Sequence, residues 1–97
     1  MLRHVVLFRW EPGITPDDVE AVRRGLDRLP ALIPELRSYS HGPDLRLGEG
    51  TWDYGVVAEF DDAAGWEAYD RHPDHDKVRA ELIRPHTAER ATVRFDG

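Results

Sequence analysis

The 97-residue chain contains no cysteine. That absence removes disulfides, thiol nucleophiles, iron–sulfur clusters and every cysteine-based zinc site. Basic charge is scarce: 13 Lys and Arg face 19 Asp and Glu, a formal net charge of -6, the wrong sign for a protein that neutralises phosphates. No nucleic-acid partner is expected. Long apolar runs are missing too, since Val5 to Phe8 is shorter than the roughly 7 to 15 residues of a signal-peptide core or the roughly 20 of a membrane span. The expectation is a cytoplasmic protein with no membrane partner. No Gly-rich phosphate loop follows a strand, Gly48-Glu49-Gly50 reading as a turn, and there is no Ser/His/Asp signature.

What is present is enough for a core. With 40% hydrophobic and 33% charged residues in 97 positions, the chain is expected to fold as one domain spanning residues 1–97. Residues 2–10 read as a strand, because Val5, Val6, Leu7, Phe8 and Trp10 show no helical period and stop at Glu11-Pro12-Gly13. Leu2, His4, Val6, Phe8 and Trp10 form one row and Arg3, Val5, Leu7 and Arg9 the other, so the middle of the strand is apolar on both faces. Two covers are implied.

A helix follows, with Thr15 as N-cap, Pro16 at the first helical position, Asp17 and Asp18 in the first turn, and a stripe at Val19, Val22, Leu26 and Leu29. Residues 36–41 read as an edge strand. From Trp52 to Phe60 apolar residues alternate with Asp53, Gly55, Val57 and Glu59, the clearest strand of the sequence. Asp61-Asp62 caps a helix through Arg71, Pro73 breaks it, and a second helical stretch runs over 74–83. Ala91, Val93 and Phe95 mark a last strand. The order βαββαβ predicts a ferredoxin-like α+β fold, a four-stranded antiparallel sheet with helices on one face. The other face, with Val5 and Leu7 joined by Val57 and Tyr39, then lies bare, and a two-fold pairing of sheets predicts a homodimer.

His4 sits in the helix-facing row among Leu2, Val6, Phe8 and Trp10, so it either finds a hydrogen-bond partner in the core or lines a cavity. Both readings stay open from sequence. Tyr69 and His75 flank Pro73, which prevents a helical wheel from deciding whether they converge. His72, Asp74, His75 and Asp76 carry metal-ligating groups, but the spacing is unconvincing and a further ligand would have to be brought in from His41 or His86. No metal is expected.

The residues Arg3-His4-Val5-Val6-Leu7-Phe8, Trp52-Asp53-Tyr54, Glu59-Phe60-Asp61 and Tyr69-Asp70-Arg71-His72-Pro73-Asp74-His75 resemble the stress-responsive A/B barrel (Dabb) family of the dimeric α+β barrel superfamily, the last segment resembling its Y-x-x-H-P-x-H motif. The resemblance covers nearly the whole chain. It implies a dimer whose two sheets form a barrel, and a cavity between sheet and helices in each subunit. Plant members include a polyketide cyclase whose tyrosine and histidine of that motif act as an acid/base pair, roles that fall here on Tyr69 and His75. The family's strand-one histidine falls on His4, and a further pocket histidine of the cyclase aligns with Tyr54, a departure from the pattern.

On that resemblance Tyr69, His75 and His4 are the expected catalytic residues, and Val6, Phe8, Tyr54, Val56, Trp66 and His72 the expected ligand-binding ones. Histidine exchanges protons near neutral pH and a phenol can hold a carbonyl or enolate oxygen, which together suit an aldol-type closure or a proton transfer beside a carbonyl. The leading expectation is a cofactor-free cyclase or isomerase acting on a small, partly apolar carbonyl compound. Two others accompany it: a non-catalytic small-molecule-binding or stress-response module, and a haem- or oxygen-handling enzyme like some of the wider superfamily.

Overall fold

The computed structural model describes Met1–Gly97. Its first strand, β1 (Leu2–Trp10), is central, and the sheet order is β2-β3-β1-β4 with every neighbouring pair antiparallel. The even residues His4, Val6 and Phe8 are buried while Arg3, Val5, Leu7 and Arg9 are not, so the two rows read in the sequence are two different faces. Beyond β1, Gly13 turns the chain at φ 95, a left-handed conformation that L side chains avoid.

Helix α1 (Pro16–Asp27) begins where the sequence places it. The Thr15 hydroxyl accepts from the Asp18 amide at 3.1 Å and the Asp18 carboxylate accepts from the Thr15 amide at 3.0 Å, a reciprocal capping box. Val22 and Leu26 face the sheet and are fully enclosed. A short helix, α2 (Leu29–Leu32), adds Leu29 and Ile33 to the same core. Strand β2 is Ser38–Pro43, shifted by two residues from the sequence estimate, and β3 starts at Tyr54 rather than Trp52 and ends at Phe60. The reason for the late start is Asp53: its carboxylate accepts the Trp10 amide at 2.8 Å and its own amide donates to the Phe8 carbonyl at 2.8 Å. Residues 52–53 are spent on anchoring the loop to β1.

Helix α3 (Ala63–Asp70) starts at an Asp62 cap on the Gly65 amide, 2.9 Å. The helical stretch expected over 74–83 is divided into α4 (Pro73–Val78), a π-helical turn (Arg79–Ile83) and a 3-10 turn (Arg84–His86) before β4 (Thr87–Asp96). α1 lies directly on the π turn, with Gly25 where a β-carbon would stand 2.7 Å from a Leu82 methyl.

Register fixes the faces. His4 pairs with Ala58 and Arg94, Val6 with Val56 and Thr92, and Phe8 with Tyr54 and Arg90; all of these share the helix-facing side. Val5 pairs with Val57 and Val93, and this opposite face carries apolar residues in the open: Val57 is 39%, Val93 56% and Phe95 46% exposed. One expected member of that face is misplaced. Tyr39 pairs with Ala58, whose side chain is fully buried on the helix side, so Tyr39 points toward the helices and not into the bare face.

Candidate active site

A cavity of ≈ 130 Å³ lies between the helix side of the sheet and the segment from α3 to the start of β4. His4, Val6 and Phe8 of β1, Val56 of β3 and Tyr39 of β2 contribute its floor; Leu26, Tyr69, Asp70, His75, Arg79, Ile83, Arg84, Thr87 and Arg90 complete it. A cavity of about 150 Å³ accepts a benzene ring, so the space suits a body of one ring or a short chain.

His4 is 4% exposed, and its Nδ1 is fully enclosed without a hydrogen-bond partner. Its ring stands edge-on to Tyr69 at 6.1 Å between centroids and tilted to Trp66 at 6.3 Å. Burial first, then the positive charges of Arg94 and Arg90, lowers its pKa to about 4, and the imidazole is neutral at physiological pH.

Tyr69 and His75 meet because of the break between them. The His72 ring nitrogen Nδ1 accepts from the Asp74 amide at 3.2 Å and Pro73 takes the first helical position. The chain reverses there, and α4 carries His75 back onto the last turn of α3. The two rings stack at 3.9 Å with 26° between planes. The His75 Nδ1 is 2.9 Å from the Tyr69 main-chain oxygen. A carbonyl only accepts, so in the neutral ring Nδ1 holds the proton and Nε2 is the basic nitrogen. Burial and the nearby Arg79 lower the His75 pKa to about 4. The Tyr69 hydroxyl lies 2.9 Å from that of Tyr39. Burial pushes Tyr69 up to about 12 and Tyr39 higher still, so both stay protonated and each is able to donate.

The cavity's other side is basic. Arg79 is held by Asp70 Oδ1 at 2.9 Å and by Asp76, whereas the guanidinium groups of Arg84 and Arg90 make no hydrogen bond or ion pair with the protein.

Of the residues expected from sequence, His4, Val6, Phe8, Val56, Tyr69 and His75 surround this one cavity. Tyr54, Trp66 and His72 do not line it, and each departure has a physical reason. Tyr54 sits in the right row of β3 but opposite Phe8, where its hydroxyl is taken by His41 Nδ1 at 2.7 Å beneath α1. Trp66 lies on the far side of His4 with Arg94 over its ring at 4.0 Å. His72 is committed to capping α4.

The residues that sequence reasoning missed are Tyr39 on the floor, Asp70, Arg79, Arg84, Thr87 and Arg90 on the polar and basic wall, and the apolar Leu26 and Ile83. Tyr39 and His41 alternate in the sequence, but only the β2 register gives their face; Arg90 required the β1–β4 register. No group of three or more His, Asp and Glu side chains converges as a metal site.

The architecture is that of a ferredoxin-like α+β protein with a small-molecule-sized cavity. The chain belongs to the stress responsive A/B barrel domain (Dabb) family, whose model matches residues 2–96. It is similar to a dimeric ferredoxin-like protein of unknown function from Thermobifida fusca YX: 47% identity, TM-score 0.92, 99% of this chain and 90% of that one covered. A protein described in the same terms from Bacteroides fragilis has 24% identity and TM-score 0.87, with 99% and 95% covered. The hydroxynitrile lyase of Passiflora edulis shares the fold at 15% identity and TM-score 0.83, with 97% and 90% covered. No curated protein matches the chain. No helix is long and apolar enough to cross a membrane.

Proposed function

We propose that the chain works as a homodimeric, cofactor-independent enzyme that moves a proton beside a carbonyl group of a small molecule, in the manner of a cyclase or isomerase. The observation that carries this reading is the arrangement at the cavity's enclosed end: a neutral histidine locked in one tautomer and stacked on a tyrosine whose hydroxyl meets a second tyrosine. His75 Nε2 takes a proton from the carbon next to the carbonyl, the C–H pair forms the C=C bond of the enolate as the carbonyl π pair moves onto oxygen, and Tyr69, supported by Tyr39, donates a hydrogen bond to that oxygen. A phenol near pKa 12 is well matched to a developing enolate. The enolate then takes the proton back from His75 at another carbon of a conjugated system, or its carbon adds to a second carbonyl, whose π pair moves onto oxygen and takes that proton. His4 orients the bound molecule from the floor.

The dimer reading is supported by the open apolar row Val5, Leu7, Val57, Val93 and Phe95 and by the dimeric description of the Thermobifida protein. Leu7→Asp puts a charge in that row and is expected to yield monomers, at a cost of several kcal/mol. A normal dimer in analytical ultracentrifugation overturns the assignment of that face.

The chemical reading is tested by following α-proton exchange of small aryl and cyclic ketones in D2O by NMR, which needs no knowledge of the physiological substrate. Wild-type protein accelerates exchange and Tyr69→Phe, folded and dimeric, slows it by about 100-fold. A wild-type protein that exchanges none of the probes, yet binds them, is a binding module instead.

A further inference from the structure

The cavity's charge runs against that of the chain. Three arginines, Arg79, Arg84 and Arg90, line it against a single carboxylate, Asp70, although the whole protein carries a net charge of -6. Asp70 is already bound to Arg79, and Asp76 takes that arginine's other nitrogen, so Arg79 and Asp70 neutralise each other. Arg84 and Arg90 are left as cations with no anionic partner. Their position is set by the backbone: Arg90 stands opposite Phe8 on the helix-facing side of β4, and Arg84 opens the 3-10 turn that leads into that strand. Both are exposed while His4, Tyr69 and His75 are buried, which puts the two cations at the entrance and the proton-transfer groups at the closed end. Because Arg90 shares a face with His4 and not with Val5, pairing of the opposite sheet faces leaves it uncovered.

We propose that the molecule taken by this cavity is a small organic carboxylate, its anionic group seated between Arg84 and Arg90 and its apolar body reaching Tyr69 and His75. This rests on the cavity being the ligand site proposed above. Unpaired guanidinium groups are the preferred partners of carboxylates, which they meet through two parallel hydrogen bonds, and the walls of Val6, Phe8, Val56 and Ile83 require an apolar body behind the charge. The same anion answers a second feature. Arg90 is destabilised as a cation by partial desolvation and by repulsion from Arg79 and Arg94; His4 is held low by burial first and then by Arg94 and Arg90, and His75 by burial first and then by Arg79. A bound carboxylate relieves that repulsion on Arg90.

The probes are benzoate and benzamide, nearly equal in shape and different in charge, with inorganic phosphate as a competitor, each titrated into the intact protein by calorimetry or NMR shift mapping. Benzoate is expected to bind about tenfold or more tighter than benzamide, and Arg90→Gln to abolish that preference by weakening benzoate alone. Arg90→Lys keeps the charge without the fork and should retain part of it. Equal binding of the two probes to wild-type protein, or a preference that survives in a folded double variant Arg84→Gln/Arg90→Gln, overturns the carboxylate assignment while leaving the cavity as a ligand site. Phosphate displacing benzoate at comparable concentration overturns the requirement for an organic body. Binding of neither probe overturns the cavity as a ligand site, and the carboxylate assignment with it.

Discussion

Two tyrosine–histidine pairs lie on the same side of the same sheet, and they are built differently. In the first, His41 lies between Tyr54 and Asp27: its Nδ1 is 2.7 Å from the Tyr54 hydroxyl and its Nε2 is 2.8 Å from the Asp27 carboxylate. Both ring nitrogens have partners, and the group ties β2 and β3 to the end of α1. In the second, His75 spends one nitrogen on the Tyr69 main-chain oxygen and offers the other, while His4 beside it has an enclosed nitrogen with no partner. The same two side-chain types thus make a rivet in one place and a site in the other. What separates them is whether the hydrogen-bonding capacity is used up within the chain, since a buried polar group without a protein partner is left to be satisfied by water or a ligand.

The largest effect expected from this contrast is on activity. His75→Ala removes the base and should slow α-proton exchange by about 100-fold or more, whereas Tyr54→Phe should leave the rate within about twofold. Equal losses in the two variants would erase the distinction between rivet and site.

On stability the order reverses. Tyr54→Phe leaves the enclosed His41 Nδ1 without its partner and is expected to cost about 1–3 kcal/mol, or roughly 4–8 °C of Tm per kcal/mol in a domain of this size. Tyr69→Phe also removes the partner of the Tyr39 hydroxyl, but beside a cavity where water can replace it, and should cost under about 1 kcal/mol. Urea melts of both variants make the check, and a larger loss for Tyr69→Phe would contradict it.

A sharper contrast comes from His4→Leu. Removing a buried, unpartnered nitrogen should raise the Tm at neutral pH as it impairs the site. It should also flatten the acid limb. His4 and His75 are held at about 4 in the folded protein against about 6.5 in an unfolded chain. Between those values the unfolded state binds the protons that the folded state refuses, so stability is full above about pH 6.5 and declines as pH falls toward 4. Thermal melts between pH 7 and 5 should show a smaller drop for His4→Leu than for wild type; parallel curves would refute the assignment.

The smallest effect belongs to Asp27→Asn. That carboxylate is 63% exposed, and its loss should change stability by less than about 1 kcal/mol. A larger cost in a double-mutant cycle with His41→Ala would make Asp27 an integral part of the rivet.

Much of this fold was readable because short-range rules and the hydrophobic pattern agree. The two-faced β1, the Thr15 cap and the alternation of β3 each have a local cause, and each recurs in the structure. The site was readable where a contiguous motif encodes it, from Tyr69 to His75. It was not readable where pairing between strands decides the face. β2 is a short polar edge strand, so nothing local fixes whether Tyr39 points up or down, and the residue that supports Tyr69 went to the wrong side. Arg90 and Arg94 look like ordinary surface charge until β4 is set against β1. The division of 73–86 into an α, a π and a 3-10 segment also escapes a helical period, and with it the placement of Arg79, Ile83 and Arg84.

The hydrogen bond from His75 back to the main chain of Tyr69 has an evolutionary corollary. Base, lock and hydroxyl of the candidate pair all come from one seven-residue stretch, 69–75, with Tyr39 of β2 supporting the hydroxyl. The entrance cations come from another stretch, 84–90. On the proposed reading, reactivity and anion recognition are encoded on separate short segments, and variation at positions 84 and 90 is expected to change ligand choice more than it changes the Tyr69–His75 arrangement.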